Sequence, residues 1–417
     1  MLRCLNISKL EEARMVRGIK KKEEDADFEY YTKNILMDPM LLDRIVLDGL
    51  DEKVVGEDKA RKTIFMCAMG ARVLNGKPTS FNLMVNSESG AGKDHVTSTV
   101  LKIFPKDDLV KRTRITPTVL TYWKPKSRFP NWSWDGKILY LEDCGNNVLN
   151  SEVFKVYASG GTHTTVVKDQ VAVDIEIVGK AVIILTSASA NPHCELIRRF
   201  MVVNLTESED QTKEIMKRWG EHNEAGEVPK EENDYHDALK YILPKKVKVP
   251  FARRAAELMP SGHIHMRTHF PRFMDFVKAS AVLHQWQRET DEQDHLLAEQ
   301  ADYEVAKQIM LATSSNELMI PLTQNQNEVI GILKELGKNI VESESGHEIE
   351  VGWTVQELTS KLPFSVTQLR RELNRLMDFG FIEKSQYQFH YDKKKTNVYS
   401  YKETKPLVLP NWDEIHS

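Results

Sequence analysis

Phe81-Asn82-Leu83-Met84-Val85 is a short, mostly apolar run, and after one residue it meets Ser87-Glu88-Ser89-Gly90-Ala91-Gly92-Lys93-Asp94. A helical pattern follows at once. A buried strand, a glycine-rich turn and a helix in immediate succession constrain the fold more than any other stretch of this chain. A strand buried on both faces suits a parallel sheet, and parallel neighbours need crossover connections. Two more runs of the same size and β-branched character, Ile138 to Leu141 and Ala181 to Leu185, supply such neighbours. The expected class is α/β, with a central parallel sheet.

Composition narrows the setting. A chain of 417 residues predicts two to four domains. A hydrophobic fraction of 41% and a charged fraction of 28% exclude a mainly disordered chain. No apolar run nears the ~18 residues of a membrane span, and Met1 to Lys22 lack a signal-peptide core. A cytoplasmic protein with no membrane partner is therefore expected. Cys4, Cys67, Cys144 and Cys194 lie far apart with no C-x-x-C pair, so they read as free thiols in a reducing compartment rather than as a zinc or redox module. The net charge of −4 is not that of a polycation. Any nucleic-acid contact must be local: a pore, a hairpin or one small domain.

The turn at 87–94 approaches the phosphate-loop pattern G-x-x-x-x-G-K-[ST]. Backbone N–H groups of such a loop, with the following helix N-terminus, cradle phosphates. Ser89, Gly90, Ala91, Gly92, Lys93, Asp94 and His95 are the candidate cradle, with Lys93 reaching the outer phosphates of ATP. Two positions depart from the pattern. Ser87 stands where the first glycine belongs, and Asp94 stands where the magnesium-binding hydroxyl belongs. The run Ile138 to Leu141 ends in Glu142-Asp143. One carboxylate there can hold Mg2+ through water and the other can orient the attacking water, so Asp94, Glu142 and Asp143 are the candidate metal residues. The next run leads through Thr186-Ser187-Ala188-Ser189-Ala190 to Asn191-Pro192, and Asn191 is a second candidate for orienting water. The pair Arg198-Arg199 is either a solvated surface or a projection into a neighbouring subunit's nucleotide site.

Between these strands, Thr164 to Val178 alternates apolar and polar residues around Lys168-Asp169-Gln170, the pattern of a hairpin tip. Residues 206–245 read as charged helix with a loop around Gly220 to Pro229, and 268–310 as long helices. Residues 1–50 read as helices with a charge cluster from Lys20 to Asp27.

This series resembles the AAA+ ATPases, and within them the minichromosome maintenance helicases and their mobile-element relatives. Four strings carry the likeness: Val54-Val55-Gly56-Glu57-Asp58-Lys59-Ala60; the phosphate loop; Ser159-Gly160-Gly161-Thr162 with the hairpin and Ala188 to Pro192; and Leu196-Ile197-Arg198-Arg199-Phe200. The resemblance covers residues 50–290. It implies a P-loop AAA+ three-layer core with a helical lid and ATP and Mg2+ as cofactors. It implies a homo-oligomeric ring, expected as a hexamer, with an arginine finger on Arg199 and an adenine contact at Val55 and Gly56. Arg267 or Arg272 would be the lid arginine that reaches the γ-phosphate, with Arg267 nearer the helix start. Hairpins at this place line the pore in the family, which maps a single-stranded DNA contact onto Lys168. The family's large N-terminal DNA-binding domain, with its OB fold and zinc, has no counterpart in residues 1–50; a primase or initiator is an expected partner.

Residues 351–405 have the order of a small α+β winged-helix domain. A helix at Val355 to Lys361 precedes one capped by Ser365, with Leu369, Leu373 and Leu376 on one face and Gly380 at its end. A wing hairpin follows. Arg370, Arg371 and Arg375 on the second helix, with Lys393, Lys394 and Lys395 at the wing tip, are the candidate duplex-DNA contacts. Ten basic residues against six acidic give this stretch a net +4. The domain boundaries expected are 1–50, 51–205 for the core, 206–312 for the lid, 313–350 for a linker, 351–405 and a tail at 406–417.

The function expected is an ATP-dependent DNA translocase or helicase, in replication of a virus, plasmid or integrated element. An ATP switch on DNA that loads or regulates without unwinding, and a remodeller of a protein partner, are the alternatives. Strand displacement separates the first from the second, and DNA-stimulated ATPase separates both from the third.

Overall fold

A computed structural model describes residues 26–87, 90, 92–116, 118–123, 132–168, 170–187, 199–206, 208–226, 234–261, 266–313, 322, 324–342, 347–389, 394–403 and 409–416. The described residues form two compact units. The first holds 26–187, 199–312 and 410–416; the second holds 313–409.

The first unit is built on β1 (Leu83–Asn86), β2 (Leu109–Arg112), β3 (Ile138–Leu141), β6 (Val182–Ser187) and β7 (Met201–Asn204), in the order β2-β3-β6-β1-β7. All four pairings are parallel. Their side chains explain the arrangement: β3 and β6 are buried at every residue, as strands covered on both faces must be. β2 is the exposed edge, and its Lys111 and Arg112 keep that edge soluble. The register sets Asn86 beside Ser187 and Asn204, and Leu141 beside Leu185, so the phosphate loop, the acidic pair and Thr186 all lie at the carboxyl ends of adjacent strands.

The helix Asp58–Met69 buries nine of its residues, with Phe65 tilted against Phe104 at 5.1 Å. The helix Met266–Leu283 covers the lead-in to β1: Phe276 meets Phe81 edge-on at 5.1 Å, and Asp275 accepts from Ser80 Oγ at 2.7 Å and from the Lys77 amide at 3.2 Å. Between β3 and β6, β4 (His163–Lys168) and β5 (Val171–Glu176) form an antiparallel hairpin that pairs with no other strand among the described residues. The helix Glu209–Ala225 runs straight through Gly220, where a loop was expected; eleven residues of helix before it carry the backbone hydrogen bonds past one glycine. Cys67 and Cys144 are buried free thiols, while Cys4 and Cys194 lie outside the described residues. Two shorter strands of this unit, β8 (Val247–Lys248) and β9 (Leu296–Leu297), pair in parallel. No helix among the described residues is long and apolar enough to cross a membrane.

The chain returns to the first unit at its end. The Pro410 carbonyl accepts from Tyr303 Oη at 2.7 Å and from Lys307 Nζ at 3.1 Å, and the helix Trp412–His416 sets Trp412 edge-on to Phe251 at 5.0 Å. The last residues are thus a docked element of the first unit rather than a tail.

In the second unit the stretch expected as a linker, 313–350, contains the helix Gln324–Leu336 and the strands β10 (Asn339–Glu342) and β11 (Glu348–Val351). Leu322, Val329 and Leu333 enter one core with Leu369, Leu373 and Leu376. Thr354 caps the helix Val355–Thr359 with a reciprocal bond from Glu357, and Ser365 caps Val366–Phe379. That second helix ends at Gly380 with φ +84°, before β13 (Ile382–Tyr387) and β14 (Thr396–Tyr401); β12 (Trp353–Thr354) completes the small sheet in the order β12-β14-β13.

Candidate functional site

The site is assembled at the ends of β1, β3 and β6. After β1, Gly90 has φ +96° and Gly92 has φ +82°, conformations that an L side chain strains to adopt, and among the described residues, chain neighbours apart, no atom lies within 4 Å of where a Cβ would stand at either residue. Each of these two glycines therefore leaves room above its own backbone. Gly92 caps the helix Lys93–Leu101, whose first N–H groups face the same space. Lys93 is buried along its stem at 6% exposure, and its Nζ lies 4.0 Å from Asp94 Oδ2. His95 is turned away, with Nε2 2.8 Å from the Lys53 carbonyl.

Thr186, near the end of β6, is fully buried and was not singled out from the sequence. Its hydroxyl donates to Asp94 Oδ1 and accepts from the Asp143 amide at 2.8 Å, and its carbonyl accepts from the Cys144 amide at 2.8 Å. One residue therefore joins the phosphate-loop helix to the acidic turn. Asp143 reaches it by adopting φ +47°, a left-handed conformation that Asp tolerates better than most side chains. The signal in the sequence was a Thr-Ser pair ending an otherwise apolar strand.

Glu142 is half-buried and bonded to Lys111 Nζ at 2.8 Å across β2 and β3. The Tyr140 phenol lies beside Thr186 and Asp94 but makes no well-formed hydrogen bond with either. Burial first, and then the Asp94 charge, push its pKa well above the ordinary phenol range, so it stays neutral. Burial and the neighbouring Asp143 push the Cys144 thiol up to about 12, which makes it an inert thiol.

The lead-in segment is tied to the far side of the same sheet. Val55 O accepts from Gln211 Nε2 at 3.1 Å, and Glu57 Oε1 accepts from the Thr206 amide at 2.8 Å and from Gln211 Nε2 at 3.0 Å. Gly56, at φ +63°, makes the bend that allows this.

The structure thus joins the Asp94 carboxylate to the Asp143 backbone through Thr186, with Lys93 beside Asp94 and Glu142 next to Asp143 at the end of β3. Other expected residues lie elsewhere. Arg199 immediately precedes Phe200 and β7, at the end of the sheet opposite its own phosphate loop. Arg267 is exposed in the first turn of its helix. Arg272 is buried, and burial pulls its pKa down to about 10; the Asp275 carboxylate partly offsets this, and Asp275 belongs neither to the phosphate loop nor to the strand ends that carry Thr186 and Glu142. Lys168 ends β4, its backbone paired with Val171. Ser89, Ala91, Asn191, Lys393 and the side chain of Lys168 lie outside the described residues.

In the second unit, Arg370 is exposed, but Arg371 Nε bonds at 3.1 Å, and Arg375 lies at 3.5 Å, to a fully buried carboxylate, Glu372. Gln326 Nε2 donates to the same group at 3.0 Å. Part of this basic face therefore neutralises the unit's own buried charge. Lys394 and Lys395 are exposed beside β14.

The residues present fit a magnesium nucleotide. The open glycine turn, the buried lysine and carboxylates on two neighbouring elements match the donor set. Among the described residues no group of three or more His, Cys, Asp or Glu side chains is placed to hold an ion by itself. Magnesium does not require one, because it takes most of its ligands from water and phosphate and one or two from carboxylates.

No curated protein matches the chain. Residues 32–246 match the MTBMA_p00010 P-loop domain, a span that includes the whole parallel sheet, the hairpin and every residue of the site just described. The chain belongs to that P-loop domain family.

Proposed function

We infer that this protein is an ATPase of the AAA+ type that works as a ring, a hexamer, and drives single-stranded DNA through its centre. The observation that carries the reading is the β4–β5 hairpin. It leaves the sheet just before β6, pairs with no other strand among the described residues, and exposes Val167 at 78% and Val171 at 62% on either side of its tip. A hairpin that adds nothing to the core and ends in Lys168 is suited to contact something outside the subunit. In a ring, several such tips converge, which lets an acidic chain grip phosphates locally.

Three further features support the reading. The four residues of β1 put about 10 Å of strand between the level of Met201 and the start of the phosphate loop, and Arg199 stands two residues further back, which favours its serving a neighbour's nucleotide. The helices Met266–Leu283 and Gln300–Ala312 follow the core in sequence, the order in which a lid would come. The second unit's two consecutive helices and the β13–β14 pair support a winged helix, whose exposed Arg370, Lys394 and Lys395 would meet duplex phosphates.

In this reading Lys93 and the open loop bind the phosphates, Asp94 and Asp143 hold the ion, and Glu142 orients water once Lys111 releases it. Bound magnesium supplies charge neutralisation at the transferring phosphoryl group. A second reading, an ATP switch that holds DNA without unwinding it, is favoured by Asp94, whose charge stands beside the phosphates where a neutral hydroxyl is usual. Strand displacement on a tailed duplex separates them. The translocase reading expects ATP-dependent displacement by the parent and none by Lys93→Ala; ATP hydrolysis with no displacement supports the switch.

A further inference from the structure

The geometry points to Thr186 as the positioning residue that aims the Asp94 carboxylate at the metal side of the phosphate loop. This rests on the reading of 87–95 as a magnesium–nucleotide loop. A hydroxyl has one proton. Thr186 Oγ1 takes a hydrogen bond from the Asp143 amide into a lone pair, so its own proton is committed to Asp94 Oδ1. The Thr186 side chain is β-branched and fully enclosed, which fixes the direction of that bond. With Oδ1 held, Oδ2 is the oxygen left toward Lys93 Nζ.

The usual partners are thereby exchanged. The pattern places a hydroxyl on the loop helix after the lysine; here the helix supplies the carboxylate and β6 supplies the hydroxyl. The exchange explains why Asp94 is tolerated after Lys93. Its charge is fixed on one side by an O–H donor and faces an ammonium on the other, rather than swinging through the phosphate site. The same oxygen also sets the spacing between Asp94 and the Asp143 turn, so both acidic elements move together.

The test is metal affinity rather than turnover. Mn2+ binding in the presence of a non-hydrolysable ATP analogue is measured by electron paramagnetic resonance, and analogue binding in chelator is measured separately. Thr186→Val should weaken Mn2+ binding by about 10-fold or more, the usual effect of losing a partner that orients a metal ligand, while metal-free analogue binding stays within about 2-fold. Thr186→Ser should restore the Mn2+ affinity. Adding Thr186→Val to Asp94→Asn should change it no further, because the two act through one contact. Should Thr186→Val fail to fold, Thr186→Ala carries the same cycle. Parent-like Mn2+ affinity in Thr186→Val, or losses that add in the double variant, would overturn the inference while leaving the nucleotide site standing. A parent protein that binds no analogue overturns the nucleotide reading itself, and the inference with it.

Discussion

Asp302 is fully buried in the helical part of the first unit, and so is nearly all of its partner Arg288, whose side chain is 5% exposed. The pair is bidentate, with Arg288 Nε to Oδ2 at 2.8 Å and Nη2 to Oδ1 at 2.9 Å. Ser280 Oγ and the Glu299 amide donate to the remaining lone pairs at 2.7 and 2.9 Å. Asp302→Asn keeps the volume and removes the charge. Breaking one side of a buried pair costs about 3–5 kcal/mol, because the other charge stays buried and uncompensated. Glu299 lies 3.7 Å from Arg288 Nη1 and is half exposed, so it recovers part of this and places the loss toward the lower end. At roughly 2–4 °C per kcal/mol for a large domain, thermal unfolding followed by circular dichroism should shift down by roughly 6–15 °C. The companion Asp302→Leu, Arg288→Met should be far milder, since desolvation is relieved on both sides. A single substitution that melts with the parent, or a double that is as damaging as the single, would refute the reasoning.

Lys93→Ala should abolish ATP hydrolysis while retaining the parent's circular dichroism; normal hydrolysis would remove the phosphate-loop assignment. Arg199→Ala should bind nucleotide and hydrolyse it poorly, and mixing it with the Glu142→Gln, Asp143→Asn protein should recover activity; no recovery despite demonstrated subunit exchange would argue against action in trans. Truncation before Pro410 should lower the melting temperature of the first unit, because Tyr303 Oη, Lys307 and Phe251 lose their partners; an unchanged melt would show that the docked segment contributes nothing.

The central strands were legible because burial on both faces writes an uninterrupted apolar run. Ile138 to Leu141 is β3 residue for residue, and the hairpin's alternation located β4 and β5 to within two residues at their outer ends. β2 was not legible: Leu109–Arg112 is half charged, as an edge strand facing water is. The second unit's first helix was hidden by composition. Gln324-Asn325-Gln326-Asn327 reads as linker, yet Val329 and Leu333, one turn apart, are fully buried, and Gln326 is there to satisfy Glu372. Trp412 and Ile415 likewise look like a short tail until Phe251 and Tyr303 are seen beside them. At the site, the positions of Lys93, Asp94, Glu142 and Asp143 at loop and strand ends were readable from spacing, because those turns are local. Thr186 was not, because its role depends on β6 lying between β1 and β3, which only the fold decides.

The most direct test of the account is steady-state ATP hydrolysis with and without single-stranded DNA, for the parent and for Lys168→Ala. The account predicts that DNA stimulates the parent. Lys168→Ala should keep the basal rate and oligomeric state, lose the stimulation, and bind single-stranded DNA with a flatter salt dependence. A parent that hydrolyses ATP at the same rate with and without DNA, or a Lys168→Ala protein stimulated as fully as the parent, would contradict it.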